Sequence, residues 1–250
     1  MNLRRPKLFI LALTAVVVLG CADTGAPQTV VVHVPPRQVQ VTEWPDQSGV
    51  VPVWCAFQIK DAWASPIFRG SGTVVRKEGG KWWILTCEHV ISFQSLKWVG
   101  VTGVKIYLGN GKRLCTVFRR DPLSDLAVLE IVDPGASWRP YRVSTEALAM
   151  GQKVFSLGVG LVPPLGEGDP PVYATHTQPG HVSSATVDPQ IPTNCSIKGG
   201  FSGGPLLNTR GELIGVNRAA NGPGYSYHIP ITQAMIVEEV WTTPARPSGP

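Results

Sequence analysis

Three short stretches carry residue types that do chemistry when they meet. Ser202 lies in Lys198-Gly199-Gly200-Phe201-Ser202-Gly203-Gly204-Pro205, where the glycines permit a tight loop gathering one hydroxyl and several backbone N–H groups. His89 follows the apolar run Trp82-Trp83-Ile84-Leu85-Thr86, and Asp125 immediately precedes the apolar run Leu126–Ile131. A single histidine beside a core strand, or one aspartate at a strand start, is more often structural than catalytic. The set of three is what acyl transfer needs. A serine hydroxyl is a poor nucleophile at neutral pH and requires a base. Imidazole titrates near neutrality and serves first as base, then as acid. A carboxylate fixes its tautomer and stabilises its charged form. Backbone N–H groups in a glycine-rich turn suit the oxyanion of the tetrahedral intermediate.

Chain order narrows the architecture. Gly-x-Ser-x-Gly also fits the strand-to-helix elbow in which acid and then histidine follow the serine. After Ser202 there is no Asp, the acids are Glu212, Glu238 and Glu239, and the histidine is His228. Pro205 and the strand-like Leu206-Leu207 also oppose a long helix there. The order His, Asp, Ser remains.

The elements that must position these residues read as strands. From Val51 onward, apolar runs of five to eight residues are separated by Gly, Asp, Asn or Pro signals. They are Val53–Ile59, Gly70–Arg76, Trp82–Thr86, Val104–Leu108, Leu114–Arg119, Leu126–Ile131, Lys153–Leu157, Gly180–Val187, Pro205–Leu207, Glu212–Asn217 and Tyr225–Ile229. This is the pattern of an all-β sandwich or barrel. Two segments look helical: a turn around His89–Ser92, and a stretch from Thr232 to Trp241 with Met235, Ile236, Val240 and Trp241 on one side. Residues 161–176 are Pro/Gly-rich, have turn chemistry and are expected to border a cleft.

Composition agrees. With 27 Gly and 23 Pro, a fifth of the 250 residues favour turns, which excludes a large helical bundle. The net charge of +5 owes three positive charges to Arg4, Arg5 and Lys7, and the small remainder does not suggest a nucleic-acid partner. The histidines are scattered, and no two cysteines lie at CxxC spacing, so no metal site and no cofactor are expected.

At these residues the chain resembles the trypsin-like serine protease superfamily, specifically the protease domain of the bacterial HtrA/Deg type. The resemblance is carried by Gly70-Ser71-Gly72-Thr73, Ile84-Leu85-Thr86-Cys87-Glu88-His89-Val90, Ser124-Asp125-Leu126-Ala127-Val128-Leu129 and Gly200-Phe201-Ser202-Gly203-Gly204-Pro205-Leu206-Leu207-Asn208. Gly211-Glu212-Leu213-Ile214-Gly215-Val216-Asn217 extends it, and it runs from about residue 50 to 240. It implies a chymotrypsin-like fold of two antiparallel six-stranded β-barrels, about 50–135 and 150–230, with the site between them and a C-terminal helix across them. It also implies a serine endopeptidase acting on polypeptides through an acyl-enzyme. His89 is then the base, Asp125 orients it, Ser202 is the nucleophile, and the N–H groups of Gly200 and Ser202 form the oxyanion hole. Ser196 is expected at the base of the primary specificity pocket; being uncharged, it implies cleavage after small or medium apolar residues. Asn217, Arg218 and Ala219 are expected to pair with the substrate backbone. Arg218 is expected to be solvated or to favour an acidic neighbour.

Glu88, Phe201 and Lys198 depart from the family pattern, Lys198 standing where the family often has Asn. Glu88 precedes the histidine where a small residue is usual, and Phe201 replaces a polar residue before the nucleophile, leaving the loop to be held by packing. They keep open a catalytically inactive binding domain on the protease fold, and an esterase on that fold is a third reading. The protease domain is expected over 50–241, with 242–250 as a tail and no room for a PDZ module.

The N-terminus points to export. Arg4, Arg5 and Lys7 precede the uncharged run Leu8–Leu19, about 12 residues long where a membrane span needs about 20. Val18-Leu19-Gly20-Cys21 resembles a bacterial lipobox, which implies acylation of Cys21, a lipoprotein signal over 1–20 and a tether over 21–49. An ordinary secretory signal or an uncleaved anchor are the alternatives. The tether carries Thr29–Val34, a possible extra strand. Cys55, Cys87, Cys115 and Cys195 allow three complete disulfide pairings or remain as buried thiols. The oligomeric state is left open.

Overall fold

The computed structural model describes residues 44–59, 61–92, 101–132, 135, 137–162, 172–184, 190–220, 222 and 224–232, and the backbone of two strands ahead of them. Those strands are β1 (Thr14–Val18) and β2 (Thr29–His33), paired antiparallel with Val16 opposite Val31. β2 coincides with the extra strand expected in the tether. Cys21, the rest of the export segment, residues 163–171 and the helix expected after Thr232 lie outside the described residues.

The first half of the main unit comprises β3 (Val50–Ile59), β4 (Ala62–Trp63), β5 (Ile67–Glu78), β6 (Lys81–Cys87), the single-turn helix α1 (Glu88–Ile91), β7 (Val101–Leu108), β8 (Arg113–Asp121) and β9 (Leu126–Val132). Its strand order is β4-β3-β5-β6-β9-β8-β7, and β3 also pairs with β7, so six antiparallel strands close into a barrel. β8 shows the period-two logic of such a wall: Cys115 faces inward, while Thr116 and Phe118 face out.

The second half comprises β10 (Lys153–Val162), β11 (Val172–His181), β12 (Ile191–Thr193), β13 (Pro205–Asn208), β14 (Leu213–Ala220) and β15 (Ser226–Pro230). They run in the order β11-β10-β13-β14-β15-β12, and a bridge between Val182 and Thr193 joins the two ends of that order. The fold is all-β and chymotrypsin-like.

One apolar core spans both halves, with Val53, Ile84 and Leu129 in the same cluster as Leu157, Leu207 and Val216. A smaller one inside the second half, with Val154, Ile191, Leu206 and Ile214, encloses Phe201.

The strand expected at Gly180–Val187 and the turn chemistry expected over 161–176 differ from the structure, where Leu161 and Val162 end β10 and residues 172–176 begin β11. β11 covers Val172–His181, not Gly180–Val187. It pairs with β10 along its whole length and ends the sheet order, so Pro179 sits opposite Phe155 in a strand with one principal neighbour, where a missing N–H is tolerated. The short strands β4 and β12 have no sequence signal of their own. Cys55, Cys87, Cys115 and Cys195 are all buried free thiols.

Candidate active site

His89 is delivered by the end of β6 and held on α1. Arg69, from β5, donates to the carbonyls of His89 at 3.3 Å and Val90 at 3.4 Å, which anchors this turn. Asp125 ends the turn between β8 and β9 with φ of 55°, a left-handed conformation that Asp tolerates better than most residues. Its main chain and side chain both engage α1. The Glu88 N–H donates to the Asp125 carbonyl at 3.1 Å, and the His89 N–H donates to Oδ1 at 3.0 Å. His89 Nδ1 then lies 2.9 Å from Oδ2 and 3.1 Å from Oδ1.

Electrostatics follow from this packing. Partial burial pushes the Asp125 carboxyl up, but hydrogen bonds from the His89 ring and backbone, the His89 charge and a hydrogen bond from Arg218 outweigh it. The carboxyl is left below its ordinary value. Glu88 turns to Arg120, with Oε1 3.7 Å from Nη1.

The loop that carries Ser202 is clamped from the first barrel. Ser71 Oγ donates to the Gly200 carbonyl at 2.7 Å and accepts the Val159 N–H at 2.8 Å, while the Ser71 N–H donates to the Ser202 carbonyl at 2.8 Å. Thr73 Oγ1 donates to the Gly203 carbonyl at 2.9 Å. The Phe201 N–H donates to the Lys198 carbonyl at 3.0 Å, closing a turn whose third residue, Gly200, has φ of +95°. A positive φ there is type II geometry and calls for glycine. A Cβ on Gly200 would also meet the Val159 carbonyl at 2.6 Å and the Phe68 ring at 2.7 Å. Phe201 is 1% exposed and fills the inside of the second half.

His89, Asp125 and Ser202 line one cavity of about 590 Å³ with Gln190, Arg218, Ala219, Ala220 and Tyr227. Ser202 Oγ donates to the Arg218 carbonyl at 3.0 Å. Arg218 Nε donates to Asp125 Oδ2 at 3.1 Å, so this arginine is an ion-pair partner inside the site.

The other expected site residues are placed unevenly. Arg218 and Ala219 line the cavity, but Asn217 does not. The Asn217 N–H donates to Gly204 and its carbonyl accepts from Gly203, both at 2.8 Å, so neither is left for a substrate strand. Its buried amide is instead a brace: Nδ2 donates to the carbonyls of Leu157 and Phe201, and Oδ1 accepts from Ser156 Oγ and meets His228 Nδ1. Ser196 is exposed and is not among the residues lining the cavity, whose wall is formed instead by Gln190, Ala219, Ala220 and Tyr227. The clamp residues Ser71 and Thr73 carry a signal in their Gly-Ser-Gly-Thr motif, though not the role. Gln190 and Tyr227 carry none.

Cys87, His89 and Asp125 offer ligand atoms within 4.8 Å of one another. These groups are committed elsewhere. Burial pushes the Cys87 thiol well above its usual value, it donates to the Asn217 carbonyl at 3.1 Å, and a guanidinium already occupies the Asp125 carboxylate. The arrangement suits proton transfer better than a cation. Among the described residues no helix is long and apolar enough to cross a membrane.

Comparison with known proteins agrees with this geometry. The model of the trypsin-like peptidase domain matches residues 70–216. A serine protease Do-like HtrA of Lactobacillus helveticus is 34% identical over 158 residues, covering 59% of this chain and 35% of that protein. The periplasmic serine endoprotease DegP of Escherichia coli K12 is 27% identical over 157 residues, covering 62% of this chain and 30% of DegP. A crystal structure of a serine endoprotease from Yersinia pestis superposes with a TM-score of 0.55 at 26% identity, covering 78% of this chain and 62% of that one. The chain thus spans about a third of the length of the curated relatives it matches. With the family model matched over more than half its residues, the chain belongs to the trypsin-like peptidase family.

Proposed function

We propose that this protein is a serine endopeptidase in which Ser202 is the nucleophile, His89 the base and Asp125 the residue that orients the base. The observation that carries this reading is the 2.9 Å contact between His89 Nδ1 and Asp125 Oδ2 at the wall of a cavity that Ser202 also lines. Nδ1–H faces the carboxylate, which assigns the role of base to Nε2. Ser202 Oγ leaves the Arg218 carbonyl, gives its proton to Nε2 and attacks the scissile carbonyl. The oxyanion forms against the N–H groups of Gly200 and Ser202, and the type II turn at Gly200 supports a preformed hole. His89 then protonates the leaving amine. Water, deprotonated by His89, hydrolyses the acyl-enzyme and restores Ser202.

The cavity wall argues for an uncharged side chain at the cleaved position. Gln190, Ala219, Ala220 and Tyr227 carry no charge, and Asp125 is engaged by His89 and Arg218. Small or medium apolar residues are the proposed preference, and Arg218 and Ala219 the proposed partners of the substrate backbone. Export is supported by the N-terminal pattern and by relatives named as periplasmic, DegP and DegQ. A lipid anchor on Cys21 is the proposed attachment to the membrane.

The test is labelling of the purified protein by a fluorophosphonate, with Ser202→Ala and His89→Ala alongside. Labelling of the wild type, lost in Ser202→Ala and greatly reduced in His89→Ala, is expected. A folded wild type that does not label would leave a protease scaffold used for binding. Cleavage of a peptide library after Arg and little else would overturn the proposed pocket.

A further inference from the structure

We infer that Arg218 is a positioning residue of this site: its guanidinium pins the Asp125 carboxylate in the orientation that receives His89, and its charge sets how far into acid the enzyme works. The inference rests on the triad reading above. It starts from the path of β14. The ladder with β15 pairs Asn217 with His228 and Ala219 with Tyr227, so the register slips at Arg218 and this residue has no partner opposite it. Such a bulge re-aims a side chain. Here the arginine is aimed at Asp125, with a side chain 36% exposed beside a carboxylate 13% exposed.

The carboxylate is then fully engaged. Oδ1 receives the His89 N–H at 3.0 Å, and Oδ2 is shared between His89 Nδ1 at 2.9 Å and Arg218 Nε at 3.1 Å. The main chain of the same arginine accepts the Ser202 hydroxyl at 3.0 Å. One residue therefore touches both the acid and the nucleophile. The consequence is electrostatic as well as geometric. A guanidinium keeps its charge at every working pH. That fixed positive charge stands 3.1 Å from the same Oδ2 that faces the His89 ring at 2.9 Å, so it acts directly on the acid–base pair.

Other charged or titratable groups surround the pair. Glu88 is engaged by Arg120, Arg69 lies on the carbonyls of His89 and Val90, Asp121 accepts the Leu123 and Ser124 N–H groups, and the Cys87 thiol donates to Asn217. Arg218 is the cation in contact with the carboxylate itself.

The experiment is the pH profile of kcat/KM for the full-length protein on a peptide ester or amide, compared among wild type, Arg218→Gln and Arg218→Lys. In Arg218→Gln the acid limb should move to higher pH by about half a unit or more. Arg218→Lys should return it most of the way. An acid limb that stays in place in Arg218→Gln while kcat falls would reduce Arg218 to a structural role and overturn the inference. So would equal displacement in the Lys and Gln variants, because charge would then not be the cause. If Arg218→Gln fails to fold, Arg218→Met is read the same way. Titration of the His89 ring protons by NMR, with Ser202→Ala as background, gives the same comparison without turnover. Hydrolysis that survives Ser202→Ala would instead sink the triad reading, and this inference with it.

Discussion

The hydroxyl of Ser71, on the first barrel, donates a 2.7 Å hydrogen bond to the carbonyl of Gly200, in the Ser202 loop of the second half. The same oxygen accepts the Val159 N–H at 2.8 Å. A strand of one barrel thus holds the turn on which the proposed oxyanion hole depends. The main-chain bond from Ser71 to Ser202 and the Thr73 bond to Gly203 extend this seam.

Ser71→Ala should therefore cost both stability and rate. It leaves the Val159 N–H and the Gly200 carbonyl without this partner in a site where Ser71 is fully buried. Unpaired buried groups of this kind cost about 1–3 kcal/mol, readable as a lower midpoint in urea. The turn would be less firmly held, so kcat should fall roughly tenfold, less than the ~10²-fold lost when an oxyanion donor itself is removed. Unchanged kcat in a destabilised Ser71→Ala would show that the turn holds its shape without the clamp.

Packing is the second restraint on that loop. Phe201 is accommodated because β10 has glycine at 158: a Cβ there would lie 2.5 Å from the Cγ of Phe201 and 2.7 Å from its main chain. Rotating the ring cannot move the main chain out of the way, so a side-chain adjustment relieves only part of the clash. Gly158→Ala should destabilise the fold by about 1–3 kcal/mol through overpacking and slow fluorophosphonate labelling of Ser202. Labelling at the wild-type rate would mean that the strand yields rather than the loop.

How legible this site is in the sequence depends on how local each signal is. His89, Asp125 and Ser202 each sit in a short stretch whose composition announces a turn, a strand start or a glycine loop. The type and order of those stretches are enough to group them. The role of Phe201 as a packed anchor is also readable, since an aromatic ring in a glycine loop has few other uses. Arg218 is not readable. Its contact with Asp125 depends on a register slip between Asn217 and Ala219, and alternation along β14 does not reveal where such a slip falls. The pocket wall escapes for a related reason. Counting back from Ser202 leads to Ser196, whereas Gln190 and Tyr227 reach the cavity through the pairing of β12 with β15. The start of β11 is hidden because Pro170 and Pro171 dominate the reading of the residues just before it, although Val172-Tyr173-Ala174-Thr175 is itself a good strand sequence.

The cysteines offer a check on the barrel register. Cys55 and Cys115 both stand opposite Ile106, so they are two strands apart, about 10 Å, where a disulfide needs less than about 7 Å. Burial pushes both thiols up to about 12. Ellman's reagent should therefore react with none of the four core thiols in the native protein and with all four in denaturant. A Cys55–Cys115 crosslink formed under mild oxidation of the native protein would contradict the strand order.

His228 makes stability depend on pH. It is 0% exposed, and burial pushes its pKa down from 6.5 to about 3. The Asn217 amide sets its tautomer: Nδ2 faces two carbonyls, so Oδ1 faces the ring, and Nδ1 carries the proton. Nε2 is left to accept from Thr193 or Ser226 at 2.8 and 3.0 Å. Between about 3 and 6.5 the unfolded chain therefore binds a proton that the folded chain refuses. Stability from the neutral ring is complete above the unfolded value and is lost as pH falls toward the folded one, by up to about 1.4 kcal/mol per unit. Asp125 acts from 3.8 downward, because its carboxyl starts there and is depressed, so it overlaps only the lower end of the histidine window. Urea unfolding at a series of pH values should show a slope across the histidine window that His228→Gln flattens, whatever that variant loses in absolute stability. A slope unchanged in His228→Gln would assign the acid sensitivity to other groups and leave the Asn217 brace with no part in it.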